Sequence, residues 1–267
     1  MFIYLSLILY SAIDLNQLAN LFSSSQNYVF EKRIETISSA LMDTPFKESS
    51  IGEEDGYDRD PMINLKYIDC MTFIEYILAF VNSKDIEEFK SHIVNIRYKD
   101  GKVDFQSRLH LPDFQWFPNA QLKGYLIDIT REVGRGYFKK ISKVLKRDFY
   151  IDKERIDKSN LIADKVEIYY IPQKDIDKIY NAIPEYSIIR VLREDSERPY
   201  LTTHLGMVIK KGNKKFLRHS SRHFGGKVTD TSLKAYFSTF EKYENWKALG
   251  IAIYKIGDIN YSQGRPK

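Results

Sequence analysis

Tyr67-Ile68-Asp69-Cys70-Met71-Thr72-Phe73-Ile74-Glu75 is the stretch from which the fold is read. Apolar residues at Phe73, Ile74, Ile77, Leu78 and Val81 recur at helical spacing, and Asp69 can cap the first free amides of a helix that starts at Cys70. Cys70 is the only cysteine of the chain. At a helix N-terminus, unpaired N–H groups and the positive end of the macrodipole favour thiolate, the form that attacks carbonyls. A lone cysteine on an apolar stripe is more often a small core residue. The decision rests on what bases the rest of the chain can bring to it.

Upstream, Asp14 to Met42 reads as helices, with Leu15, Leu18, Leu21 and Phe22 on one face and Ile34, Ile37 and Leu41 on another, separated by a break at Ser23 to Ser25. Thr44-Pro45-Phe46 is extended because the residue before proline is pushed out of the helical region. The polar, acidic stretch from Lys47 to Met62 is a surface loop that leads to Cys70. Downstream, a helix is expected over Asp85 to Asn95, a strand at Ile96 to Tyr98 and a turn at Asp100-Gly101. Another strand is expected around Leu126, Ile127 and Ile129. Lys139 to Lys165 is rich in Lys and Asp and reads as a solvated helical or loop segment. Val166 to Ile171 and Ser187 to Leu192 read as strands, with a short helix from Gln173 to Ala182 between them.

Thr202 to Ile209 is a strand led by His204, Lys211-Gly212-Asn213 turns it, and Lys215 to Ser220 returns with His219. In a hairpin of this length the two histidines lie on adjacent strands at the same end. One imidazole can then face a nucleophile while the other fixes its tautomer. A structural histidine pair fits the same spacing. The other three histidines, His92, His110 and His223, are scattered and lack partners at metal-ligand spacing.

The 267 residues carry a net charge of +5, with Lys and Arg mixed among acidic residues, and no nucleic-acid-binding motif accompanies that charge. Aromatics reach 14%, with 19 Tyr and 16 Phe, which excludes a disordered chain and suits a site that grips rings. Met1 to Ile13 is apolar but too short to span a bilayer. It is similar to the core of an export signal without the usual basic start, and equally to a buried N-terminal helix. Arg108 offers a guanidinium fork for a substrate carboxylate, or a surface ion pair.

Cysteine at a helix start, histidine at a strand start, then a polar residue on the next strand is the order of papain-like cysteine hydrolases. Asp69-Cys70-Met71-Thr72-Phe73-Ile74-Glu75 resembles the D-C-x-T-F-x-E signature of the DUF1460 group in the NlpC/P60 superfamily, and Ser107-Arg108-Leu109-His110 resembles its S-R-L-H segment. Thr203 to Met207 and Phe216 to Ser220 resemble its histidine strands, so the resemblance runs from about Thr44 to about Ile256. It implies an α+β, papain-like fold, with a helical segment over residues 1–43 and a catalytic domain over 44–267, the nucleophile helix packed on an antiparallel sheet.

The resemblance makes Cys70 the nucleophile, His204 the general base and His219 the residue that orients it. The reaction it implies is cleavage of the amide between N-acetylmuramic acid and L-alanine in peptidoglycan fragments, without cofactor or metal. A cut within the stem peptide, a non-catalytic muropeptide-binding module and an acyltransferase are the alternatives. Muropeptides are then the partner, with no nucleic acid and no stable membrane insertion. The substrate argues for the periplasm or export, and recycling of released fragments for the cytoplasm. Many NlpC/P60 relatives carry a tyrosine upstream of the cysteine that polarises the substrate carbonyl, whereas this chain has Phe46. Tyr57 or Tyr67 is then needed to replace a donor worth roughly 2–4 kcal/mol. Arg108 and Trp116 are the expected contacts for a peptide carboxylate and a sugar or lactyl face.

Overall fold

In the computed structural model, helix α3 (Cys70–Val81) is buried from Thr72 to its end, because its sequence is apolar on almost every side. It therefore needs cover all round. Helices α1 (Leu15–Ser25), α2 (Phe30–Ala40) and α4 (Ile86–Arg97) supply one side of that cover, through Leu18, Phe22, Ile34, Ile37, Phe89 and Ile93. The structure describes residues 13–144, 162–194, 200–242 and 247–259. The suggested export signal, apart from Ile13, and most of the basic run after Val144 lie outside the described residues. Among the described residues no helix is long and apolar enough to cross a membrane.

The other side of α3 rests on an antiparallel sheet of β1 (Leu126–Asp128), β2 (Lys139–Val144), β3 (Lys165–Pro172), β4 (Ile188–Arg193), β5 (Thr202–Lys211), β6 (Lys214–Ser221), β7 (Lys227–Ser232) and β8 (Ala248–Ile256). The strand order is β2-β3-β8-β4-β5-β6-β7, with β1 also paired to β8. Leu205, Met207 and Ile209 of β5 face the α3 core, whereas Val208 faces a second core with Leu217, Leu233 and Tyr236 on the opposite side. This two-residue alternation fixes which strand positions reach which face. Gly206 sits where β5 and β6 come close: a Cβ there would lie 2.7 Å from Leu217 Cδ1 and 3.1 Å from His219 Cβ.

Three expected elements are corrected. Ser23 to Ser25 do not break α1, since the Ser23 and Ser25 hydroxyls donate back to the carbonyls of Ala19 and Leu21 (3.3 and 2.6 Å) and the helix runs through them. Ile96 and Arg97 extend α4 rather than starting a strand, and Tyr98 makes only an isolated bridge with Arg108. Lys139 to Val144 is a strand, β2, because it pairs with β3 along six residues and exposes Lys139 and Lys140.

Glu75, the last residue of the cysteine motif, ties three segments together. Its carboxylate accepts from Arg97 Nε at 2.8 Å and from Trp116 Nε1 at 2.9 Å, and all three residues are buried. Trp116 is therefore a core residue and not a sugar platform. Removing one member of a buried pair strands the other's charge. Glu75→Gln is expected to lower unfolding stability by about 3–5 kcal/mol in urea denaturation, by leaving Arg97 uncompensated; a loss below about 1 kcal/mol would contradict this role.

Candidate active site

Cys70 is placed by the chain just before it. Asp69 caps α3, its Oδ1 accepting from the Thr72 amide at 2.8 Å. Ile68 is held from both sides, its amide donating to Pro45 O at 3.1 Å and its carbonyl accepting from Ser220 Oγ of β6 at 2.7 Å. The extended Thr44-Pro45-Phe46 stretch is itself laid along the start of β7, where the Val228 amide donates to Thr44 O at 2.9 Å. The proline-fixed segment thus fastens the N-terminus of α3 to the hairpin that carries the histidines.

The histidines form a chain. His204 Nε2 lies 2.6 Å from His219 Nδ1, and His219 Nε2 lies 3.0 Å from Thr231 Oγ1 on β7. The Tyr236 ring stacks on His204 with centroids 5.7 Å apart and meets His219 edge-on at 5.4 Å. His219 is fully buried. Burial, then the neighbouring charges of His219, Arg193 and His223, holds the His204 imidazolium form well below its ordinary range. Burial lowers His219 to about 4, against a smaller opposing pull from Asp230. Both rings are neutral near pH 7. If His204 donates from Nε2 to His219 and His219 donates to Thr231, Nδ1 of His204 is left as an acceptor.

The head of β5 is fixed by a buried pair. Asp113 accepts from Arg190 and from the Leu201 amide and Thr202 hydroxyl, while Arg190 Nε donates to Thr202 Oγ1 at 2.7 Å. Arg218, for which the sequence offers no chemical meaning, clamps Asp230 on β7 at 2.8 and 2.9 Å and donates to Ser38 and Ser39 of α2. It locks β6 to β7 and to the helical layer.

Cys70 and His204 line one cleft of about 540 Å³, together with Phe46, Arg193, Arg222 and Tyr236. The sulfur faces the backbone amides of Leu205, Cys70 and Met71, which favour thiolate. The helix-end effect expected from the sequence is thus present but outweighed. Burial and the adjacent Asp69 carboxylate push the Cys70 thiol up to about 12, so the resting group is a thiol.

Of the expected site residues, the structure brings Cys70 and His204 to the cleft and sets His219 behind His204. It places the others elsewhere. Arg108 pairs ionically with Glu53 at 2.8 Å and donates to Asp58 at 2.9 Å and to Ile51 O at 2.8 Å, so its guanidinium closes the acidic loop and does not line the cleft. Tyr67 is 43% exposed and Tyr57 65% exposed, and neither lines the cleft, so neither stands in for the hydroxyl that Phe46 lacks. His92 and His110 bond Tyr125 and Phe105 away from the cleft. Thr231, Tyr236, Arg193 and Arg222 are site residues the sequence reading missed. Only strand pairing reveals Thr231, whose strand lies beside that of His219.

A thiol raised to about 12 is almost wholly protonated at neutral pH, and its thiolate fraction rises tenfold per pH unit below that value. Alkylation of Cys70 by iodoacetamide is therefore expected to accelerate about tenfold per unit from pH 6 to 10 without levelling. A plateau reached by pH 7 would show a resting thiolate–imidazolium pair and contradict the neutral assignment.

A family profile described as AmiA-like, N-acetylmuramoyl-L-alanine amidase-like, matches residues 36–242. Among curated proteins none matches the chain. A solved DUF1460 protein of Legionella pneumophila str. Philadelphia 1 is similar over 91% of this chain and 94% of its own, with 22% identity and a TM-score of 0.80. An N-acetylmuramoyl-L-alanine amidase of Bacteroides uniformis is similar over 85% of this chain and 99% of its own, with 21% identity and a TM-score of 0.67. At such identities these two structures speak for the fold. The family match spans most of the chain, and with the helix-led, antiparallel architecture beside it, the chain belongs to the AmiA-like family of N-acetylmuramoyl-L-alanine amidase-like proteins.

Proposed function

We propose that the chain is a cysteine amidase of the papain-like, NlpC/P60 type that cleaves the bond between N-acetylmuramic acid and L-alanine in peptidoglycan fragments. The observation that carries this reading is His204, backed by His219 at 2.6 Å, lining the same cleft as a cysteine at a helix N-terminus. The family match supports the amidase class, and the relative solved from Bacteroides uniformis carries the name of that activity.

In this mechanism the Cys70 sulfur attacks the amide carbonyl carbon as His204 takes the thiol proton at Nδ1. The resting thiol and imidazole are both neutral, so charge appears only as the bond forms, where fixed donors stabilise it most. His204 then carries its charge on a ring whose Nε2–H donates to the neutral His219. The amides of Cys70 and Met71, which face the sulfur at the start of α3 and have no helical carbonyl to bond, turn to the oxyanion as the sulfur gives up its charge. Main-chain donors account for a site with Phe46 at its wall. His204 returns the proton to the leaving amine, and water, activated by the same ring, releases the acyl group.

Defined disaccharide-peptide muropeptides test the reading by mass spectrometry. The wild type is expected to release free stem peptide, and Cys70→Ala to lose at least a thousandfold in rate. A chain that leaves every muropeptide intact from pH 5 to 9 would overturn it, and cleavage inside the stem would move the bond. His219→Ala is expected to cost about a hundredfold in kcat, and Thr231→Val about three- to tenfold, with KM little changed. Thr231→Ser should recover most of the loss, which a packing role for the methyl groups would not explain.

A further inference from the structure

Arg222 follows directly on β6 and lines the cleft. Its guanidinium lies 5.6 Å from the centre of the Phe46 ring, which lines the same cleft, and its Nη2 donates to Glu48 Oε2 at 2.7 Å. Glu48 stands two residues after Phe46, so the pair joins the proline-fixed stretch to the end of β6 at the mouth of the cleft. Unlike Lys32–Glu35 or Lys90–Glu87, which sit a turn apart on one helix, this pair links segments 174 residues apart.

The pair is weakly held. Both side chains are about two-thirds exposed, at 64% and 68%, so water screens their attraction and opening them sacrifices little. A guanidinium also accepts a carboxylate best through two parallel N–H bonds, and Glu48 engages it through Nη2 alone. The Phe46 face keeps the Arg222 plane in place when Glu48 departs. Arg193 and His223 line the same cleft, and Asp69, the other carboxylate there, is tied to the Thr72 amide as a helix cap. Once Glu48 leaves, the Arg222 guanidinium stands at the cleft with no carboxylate of Glu48 on it.

We propose that Arg222, seated on Phe46, is the carboxylate-binding group of the cleft and that Glu48 is its resident competitor, exchanged for a carboxylate of the substrate bound beside Cys70. This deepens the amidase reading by naming its preferred substrates: amides whose peptide part carries a free carboxylate, over their amidated counterparts. Glu48 acts as a selectivity filter, since a neutral group gains nothing by displacing it.

Charge-selective alkylation tests the site without any turnover. Iodoacetate and iodoacetamide both react by attack of the Cys70 thiolate on carbon, with iodide leaving and the thiol proton lost to water, and differ in a carboxylate against an amide. The rate ratio of iodoacetate to iodoacetamide is expected to fall at least threefold in Arg222→Gln and to rise at least twofold in Glu48→Gln. Arg135→Gln, at an exposed arginine outside the cleft, should leave it unchanged. A ratio equal in wild type and Arg222→Gln, or lowered as much by Arg135→Gln, overturns the proposal. In a second arm, N-acetylmuramoyl-L-alanyl-D-glutamate is expected to show about tenfold higher kcat/KM than its amide, N-acetylmuramoyl-L-alanyl-D-isoglutamine, with the preference lost in Arg222→Gln. If neither is hydrolysed, the amidase reading fails while the alkylation ratio still decides the anion site. Hydrolysis of both at equal rate, with an unmoved ratio, sinks the anion site and leaves the amidase standing.

Discussion

The 2.6 Å hydrogen bond between His204 Nε2 and His219 Nδ1 joins two imidazoles walled by Tyr236 and, around His219, by Phe224. Burial disfavours a charge on either ring, so each is held neutral and must take its proton order from its partners. That order runs outward to the Thr231 hydroxyl. Much of the surrounding structure serves to keep these groups in line. Arg218 and Asp230 lock β6 to β7, Gly206 lets β5 and β6 close on each other, and Asp113 with Arg190 fixes the head of β5.

Helix α3 meets this hairpin for reasons of packing rather than chemistry. α3 is apolar on nearly all sides and so lies between the helical layer and the sheet, which leaves only its N-terminus to reach a surface. The Ser220 bond to Ile68 O then fixes where that end comes out. Burial has a second effect: it raises the thiol while lowering the imidazole, so the two groups rest uncharged, and under the proposed mechanism they would separate charge only with a carbonyl in place. This differs from an enzyme that stores a ready thiolate.

Helix α3, its Asp69 cap and the β5–β6 hairpin were legible in the sequence because each is written locally, in apolar spacing, a capping residue and a Gly-Asn turn. The positions of Cys70, His204 and His219 on those elements followed with them. Arg108 and Trp116 were misread because their partners are distant. Glu53, Asp58 and Glu75 lie 55, 50 and 41 positions away from them, and only the fold brings those carboxylates close. The thiol's state was misread for a related reason: a helix end can be read from sequence, but desolvation at that end depends on what packs over it. Thr231, Tyr236 and Arg222 carry no local mark at all.

The most direct measurement is intact-protein mass spectrometry on single turnovers. Wild-type enzyme mixed with an N-acetylmuramoyl peptide and quenched in acid at intervals should gain, and then lose, the mass of the N-acetylmuramoyl acyl group, and digestion should place it on the peptide that contains Cys70. Appearance of free stem peptide at full rate, with no adduct on that peptide at any time, would contradict an acyl-cysteine route.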